Sequence, residues 1–149
     1  MAQSLRLPNL IILASSSINR INLLKQIGVN PIVIPPDCEE NLSKKLPPEQ
    51  YAMETANIKN DWVYNKLIQE KKAFDVIISC DTIIVMNNEI IGKPVDLNNA
   101  RETLEKLNGK THQVITGVVL KYSTGKLEKF YVKSNVMQEV MPFKKKVPF

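Results

Sequence analysis

Val76-Ile77-Ile78-Ser79-Cys80-Asp81-Thr82-Ile83-Ile84-Val85-Met86-Asn87-Asn88-Glu89-Ile90-Ile91 is the stretch on which the fold class turns. Its first residues, Val76 to Ile78, read as a buried strand that ends in Asp81-Thr82. Ile83 to Met86, the Asn87-Asn88 pair and Glu89 to Ile91 then read as a hairpin, because asparagine tolerates the left-handed backbone of a two-residue turn. Upstream, Leu10-Ile11-Ile12-Leu13 is wholly apolar, as strands covered on both faces are. Ser17 can cap a following helix through Ile21, Leu24 and Ile27, with Gly28 where a helix ends. Pro31 to Ile34 is a second strand, closed by Pro35-Pro36 and followed by the polar segment Asp37-Cys38-Glu39-Glu40. From about Pro48 to Lys71 the pattern is helical, with Ala52, Ala56, Val63 and Leu67 on one stripe that also carries Lys59.

Downstream, Gly92-Lys93-Pro94 breaks the chain, and Asp96 can cap a helix carrying Ala100, Leu104 and Leu107 that stops before Asn108-Gly109. Thr111 to Tyr122 and Glu128 to Val136 read as two further strands joined through Ser123-Thr124-Gly125. Helices alternate with strands and strands then dominate, which predicts an α/β fold with a mixed, twisted β-sheet flanked by helices.

With 149 residues, 44% apolar and 23% charged, the chain fits one globular domain. A net charge of +5 favours anionic partners, and part of the excess is the basic run Lys144 to Lys146 in a divergent tail, 137–149. Cys38 and Cys80 match neither a metal pair nor a redox dithiol, so reduced thiols are expected. The first nine residues lack the apolar core of a signal peptide, and no apolar run is long enough to span a bilayer, so the expected address is cytoplasmic.

Several chemistries are excluded by spacing. Neither Gly92-Lys93-Pro94 nor Gly109-Lys110-Thr111 has the earlier glycine of a phosphate loop. His112 is the one histidine, which rules out a histidine-rich zinc site and, without a nucleophile elbow, argues against a Ser-His-Asp triad. What remains is a set of carboxylates (Glu39, Glu40, Asp81) and cations (Arg20, Lys59, Lys93) on separate segments, a combination suited to a triphosphate with a divalent cation. Ser15 to Ser17 before a helix can also hold an anion, with Arg20 in the first turn. Each residue has a structural reading as well. Asp81-Thr82 can simply form a turn, Ser17 can simply cap, and Lys59 can sit in an internal ion pair or snorkel.

Five segments in this order resemble the Maf family of nucleoside triphosphate pyrophosphatases: Leu13 to Arg20, Tyr51-Ala52 to Lys59, Cys80-Asp81-Thr82, Gly92-Lys93-Pro94 and Gly109 to Gly117. The resemblance runs from about Leu10 to Val136 and is greatest to eukaryotic members. It implies the Maf and inosine-triphosphatase-like fold, in a shortened form, and hydrolysis between the α- and β-phosphates. It further implies that Glu39 and Asp81 bind Mg²⁺ or Mn²⁺ with Asp81 as base. Arg20, Lys59 and Lys93 would stabilise phosphate charge, and Ser17 would position a phosphate. Asn19 stands where the family has an arginine linked to substrate recognition, while Thr82 resembles the subgroup that prefers dTTP and UTP, with modified guanosine nucleotides as the alternative. After Val136 the family continues with a helix and a glycine-rich stretch that Met137 to Phe149 does not match. Weak turnover by a nucleotide-binding remnant is therefore the alternative expectation. The expected partner is a nucleoside triphosphate; a homodimer stays open, and neither membrane nor nucleic acid is called for.

Overall fold

The computed structural model describes residues 10–92 and 95–137. Their elements run β1 (Ile11–Leu13), α1 (Ile18–Gln26), β2 (Ile32–Val33), α2 (Pro48–Gln69), β3 (Val76–Met86), β4 (Glu89–Ile91), α3 (Leu97–Leu107), β5 (Thr111–Tyr122) and β6 (Leu127–Met137). They form a six-stranded sheet of order β2-β1-β3-β5-β6, with β4 on β3. β1 pairs parallel with β2 and β3, while β3–β4, β3–β5 and β5–β6 are antiparallel, so the sheet is mixed.

Local signals place most boundaries. Ser17 and Asp96 cap α1 and α3, and Asn87 and Asn88 both adopt positive φ in the β3–β4 turn. One expectation needs correction: Asp81-Thr82 does not end a strand, because β3 continues unbroken to Met86. β5 pairs with it residue for residue from Val76 to Val85, setting Asp81 against Gly117 and Thr82 against Thr116. A long ladder partner overrides the turn preference of two polar residues.

The opposite edge of β3 is different. β1 covers it at Val76 to Ile78 and β4 at Ile84 to Met86, so among the described residues the edge from Ser79 to Ile83 has no strand beside it. The gap opens where Ala14, having donated its N–H to the Ile78 carbonyl at 2.8 Å, leads the chain away into Ser15 and α1.

α2 lies across one face of β3 and β5. Ala52, Ala56, Val63 and Leu67 are buried there against Ile77, Ile83, Ile115 and Val119. Gly117 makes the approach possible: a Cβ on it would come within 2.4 Å of the Ala52 carbonyl carbon and 2.5 Å of the Met53 nitrogen, both backbone atoms that cannot swing aside. Two buried side chains then fix the height of the helix. The Ser79 hydroxyl donates to the Ala56 carbonyl at 2.6 Å, and the Asn60 amide donates to the Ile77 and Val119 carbonyls at 3.0 and 3.3 Å. Lys59, next to Asn60, is thereby delivered to the middle of β3.

Candidate active site

The site occupies the gap in the sheet. On the α2 side of β3, the Lys59 ammonium lies 3.2 Å from Asp81 Oδ1 and 3.3 Å from Glu40 Oε1, and donates to the Cys80 carbonyl at 3.4 Å. Lys59 and Asp81 are nearly buried, with side chains 13% and 8% exposed, whereas Glu40 is 36% exposed. Lys59 is therefore held as an ion pair with two carboxylates rather than snorkelling. Burial raises the Asp81 pKa above the ordinary carboxylate value; Lys59 opposes this and Glu40 reinforces it. Burial likewise raises the Cys80 thiol.

Asp81 and Thr82 point to opposite faces because successive strand residues do. On the far face, Arg20 reaches Thr82 from the first turn of α1. Its Nη2 donates to Thr82 Oγ1 at 3.4 Å and its Nη1 to Ser15 Oγ at 3.3 Å. Ser15 Oγ also accepts the Ser17 N–H at 3.1 Å, and Ser17 Oγ accepts the Arg20 N–H at 3.4 Å. Thr82 Oγ1 lies 3.0 Å from Thr116 Oγ1 on β5.

Two cavities meet along Glu40, Asp81 and Thr82. One, of about 350 Å³, is lined by Ser15 to Ser17, Arg20, Pro36 and Lys59, a cationic and hydroxyl-rich wall. The other, of about 340 Å³, is walled mainly by Tyr51, Ile83, Ile84, Ile90 and Ile91, with Lys44, Gly92 and Thr103 at its margins. Both lie within the size range of small-molecule sites. An anion suits the first and a flat, partly apolar group the second.

Of the residues anticipated from sequence, the structure brings together Ser17, Arg20, Lys59, Asp81 and Thr82. Glu39 lines neither cavity; its carboxylate accepts from the Asn41 amide at 2.9 Å, and Glu40 faces Lys59 instead. Asn19 is exposed on α1 and lines neither cavity. Lys93 falls outside the described residues, although Gly92 before it lines the second cavity. His112 is buried away from both, Ser15 lines the first cavity as the serine run predicted, and Lys44, Tyr51, Thr103 and Thr116 join the site without having been anticipated. Thr116 becomes visible only through the β3–β5 register.

No cluster of three or more His, Cys, Asp or Glu side chains that could hold a metal occurs among the described residues. Asp81 and Glu40 nonetheless both reach the Lys59 ammonium, which brings two hard oxygen donors together in the lining of the anion-suited cavity. Mg²⁺ is commonly held by one or two carboxylates plus substrate phosphates, and this donor set fits that pattern.

Residues 10–145 match the sequence profile of a family described as Maf-like protein. A dTTP/UTP pyrophosphatase of Caldicellulosiruptor bescii is 40% identical over 129 residues, covering 85% of this chain and 63% of that protein. A probable bifunctional dTTP/UTP pyrophosphatase/methyltransferase protein of Homo sapiens is 39% identical over 119 residues, covering 78% of this chain and 19% of that one. Among solved structures, the Ham1 protein of Staphylococcus aureus superposes with a TM-score of 0.59 at 18% identity, covering 85% of this chain and 70% of that one. A HAM1 protein of Coxiella burnetii gives 0.60 at 15%, over 85% and 71%. At such identities the two structures speak to the fold alone. The chain spans about half to two thirds of the length of its bacterial relatives, from 50% to 67%.

Proposed function

The chain belongs to the Maf family, and from that premise we propose that it hydrolyses a nucleoside triphosphate, dTTP or UTP for preference, to the monophosphate and pyrophosphate. The carrying observation is the place of Asp81: a buried carboxylate where a cationic cavity meets an apolar one, 3.2 Å from the Lys59 ammonium. Triphosphate would lie in the first cavity and the nucleoside would extend toward Tyr51 and the isoleucines of the second. The substrate preference rests on the names of the relatives and on Thr82.

In the reaction, a water oxygen attacks the α-phosphorus and the bond from that phosphorus to the α–β bridging oxygen breaks. The water proton passes to Asp81, and the bond's electron pair leaves on pyrophosphate. A carboxylate with a raised pKa is the stronger base, and Lys59 favours its ionised form at neutral pH. Arg20 and Lys59, with Lys93 as a further candidate, would balance charge growing on phosphate oxygens, the dominant contribution in phosphoryl chemistry. Ser17 would position a phosphate. A divalent cation, Mg²⁺ or Mn²⁺, would be held by Asp81 with Glu40, or with Glu39 from the same segment, and would polarise the phosphate oxygens.

No helix among the described residues is long and apolar enough to cross a membrane. The proposed setting is the cytoplasm. The test is pyrophosphate release from dTTP, UTP, CTP and 7-methyl-GTP with Mg²⁺. Release from dTTP and UTP above the other two is expected; nucleotide binding without release from any of the four would overturn the proposed reaction.

A further inference from the structure

We propose that Thr116 is a positioning residue that aims the Arg20 guanidinium at the substrate's phosphates, acting through Thr82. This rests on the proposed pyrophosphatase reaction, in which Arg20 meets phosphate. Thr116 lines neither cavity, which points to action through Thr82 rather than by direct contact.

The geometry begins with the sheet. Thr82 and Thr116 are direct partners across the β3–β5 ladder. The Ile78 carbonyl accepts from Ala14 on the β1 side of β3, and the Cys80 carbonyl accepts from Lys59. By alternation the backbone groups of Thr82 also face the gap, away from β5. Thr82 and Thr116 are then a non-hydrogen-bonded pair, the type whose side chains stand closest, which accounts for hydroxyl oxygens 3.0 Å apart.

A guanidinium has donors only, so a hydroxyl beside it must offer a lone pair and turn its own hydrogen elsewhere. Thr116 can accept that hydrogen. With it in place, Thr82 Oγ1 holds Nη2 while Ser15 Oγ holds Nη1, and the two ends of the fork are pinned from separate segments. Without the Thr116 oxygen, the Thr82 hydroxyl rotates freely and the fork loses one anchor.

The test is equilibrium binding of a dTTP analogue with a methylene group between its α- and β-phosphorus atoms, with pyrophosphate release from dTTP measured in parallel. Thr116→Val keeps the shape and strand propensity, and is expected to weaken binding by about 5–10-fold, the scale of one lost hydrogen bond to a charged group's anchor. Thr116→Ser should return it to within about twofold, and in an Arg20→Lys background Thr116→Val should add less than about twofold, since the two act through one network. A Thr116→Val variant that binds like the wild type, or that loses the same factor in the Arg20→Lys background, overturns the proposal. If Thr116→Val does not fold by its thermal transition, Thr116→Ala removes the same acceptor with less bulk, with the same expected and contrary results. A wild-type chain that binds the analogue but releases no pyrophosphate sinks the proposed reaction and leaves the Thr116–Arg20 coupling to be judged on binding alone. One that does not bind the analogue sinks both.

Discussion

The two faces of the sheet differ in how they are covered. Under α2, Ile77, Ile115 and Val119 are wholly buried against Ala52, Ala56, Val63 and Leu67. On the other face of β3 and β5, Thr82 is exposed and Ile78, Cys80, Ile84, Val118 and Leu120 are only half-buried. Phe130 and Val132 of β6 remain 44% and 56% exposed there, and α1 has no buried residue. The covered face carries Lys59 and Asp81, whose ion pair is held in a low-dielectric, fixed setting at a cost in desolvation. The open face carries Arg20, Thr82 and Thr116, held by hydroxyl hydrogen bonds rather than by packing. The candidate site thus draws its rigid half from the core and its adjustable half from the surface.

That contrast can be broken first on the covered side. Leu67→Ala should lower stability by about 2–5 kcal/mol in urea unfolding, as core truncations do. Gly117→Ala should lower it by about 1–3 kcal/mol through overpacking. Gly117→Ala should also slow turnover out of proportion, because a Cβ there pushes α2, and with it Lys59, off β3. A Gly117→Ala variant of unchanged stability and turnover would mean that α2 is not held by that close approach.

A smaller effect concerns pH. The folded-state pKa of Asp81 is raised, chiefly by burial. Its contribution to stability is therefore fully present below the ordinary aspartate pKa and is lost as pH rises through the raised value. Turnover, which needs the ionised base, should rise over that same window, so stability and activity run in opposite directions. Asp81→Asn should flatten this group's share of the stability change. On the open face, Phe130→Ala should fall within about 0.5 kcal/mol of the parent, as surface substitutions do. A larger loss would show that this face is covered in solution.

Much of the fold was legible because its signals are local. The Ser17 and Asp96 caps, the Asn87-Asn88 turn and the alanine stripe of α2 each report on a few neighbouring residues, and each is found. The α1 stripe was legible only in part: Ile21 and Leu24 are half-buried, whereas Ile27, the residue that caps the helix C-terminus, stays 74% exposed.

Long-range pairing was not legible. Asp81-Thr82 resembles a strand end until β5 is laid beside it, and Thr116 and Gly117 acquire their roles only as the register partners of Thr82 and Asp81. The gap between β1 and β4 has no sequence signature, since it depends on where two other strands stop. Glu40 rather than Glu39 meets Lys59 for a related reason: residues 37–40 belong to no helix or strand, so no periodicity tells which carboxylate points inward.

The most direct test is pyrophosphate release from dTTP with Mg²⁺ by the chain and by its Asp81→Asn variant, matched for folded fraction. Removal of a general base predicts a fall of about 100-fold or more. Equal rates for the two proteins would contradict the placement of Asp81 at the centre of the reaction.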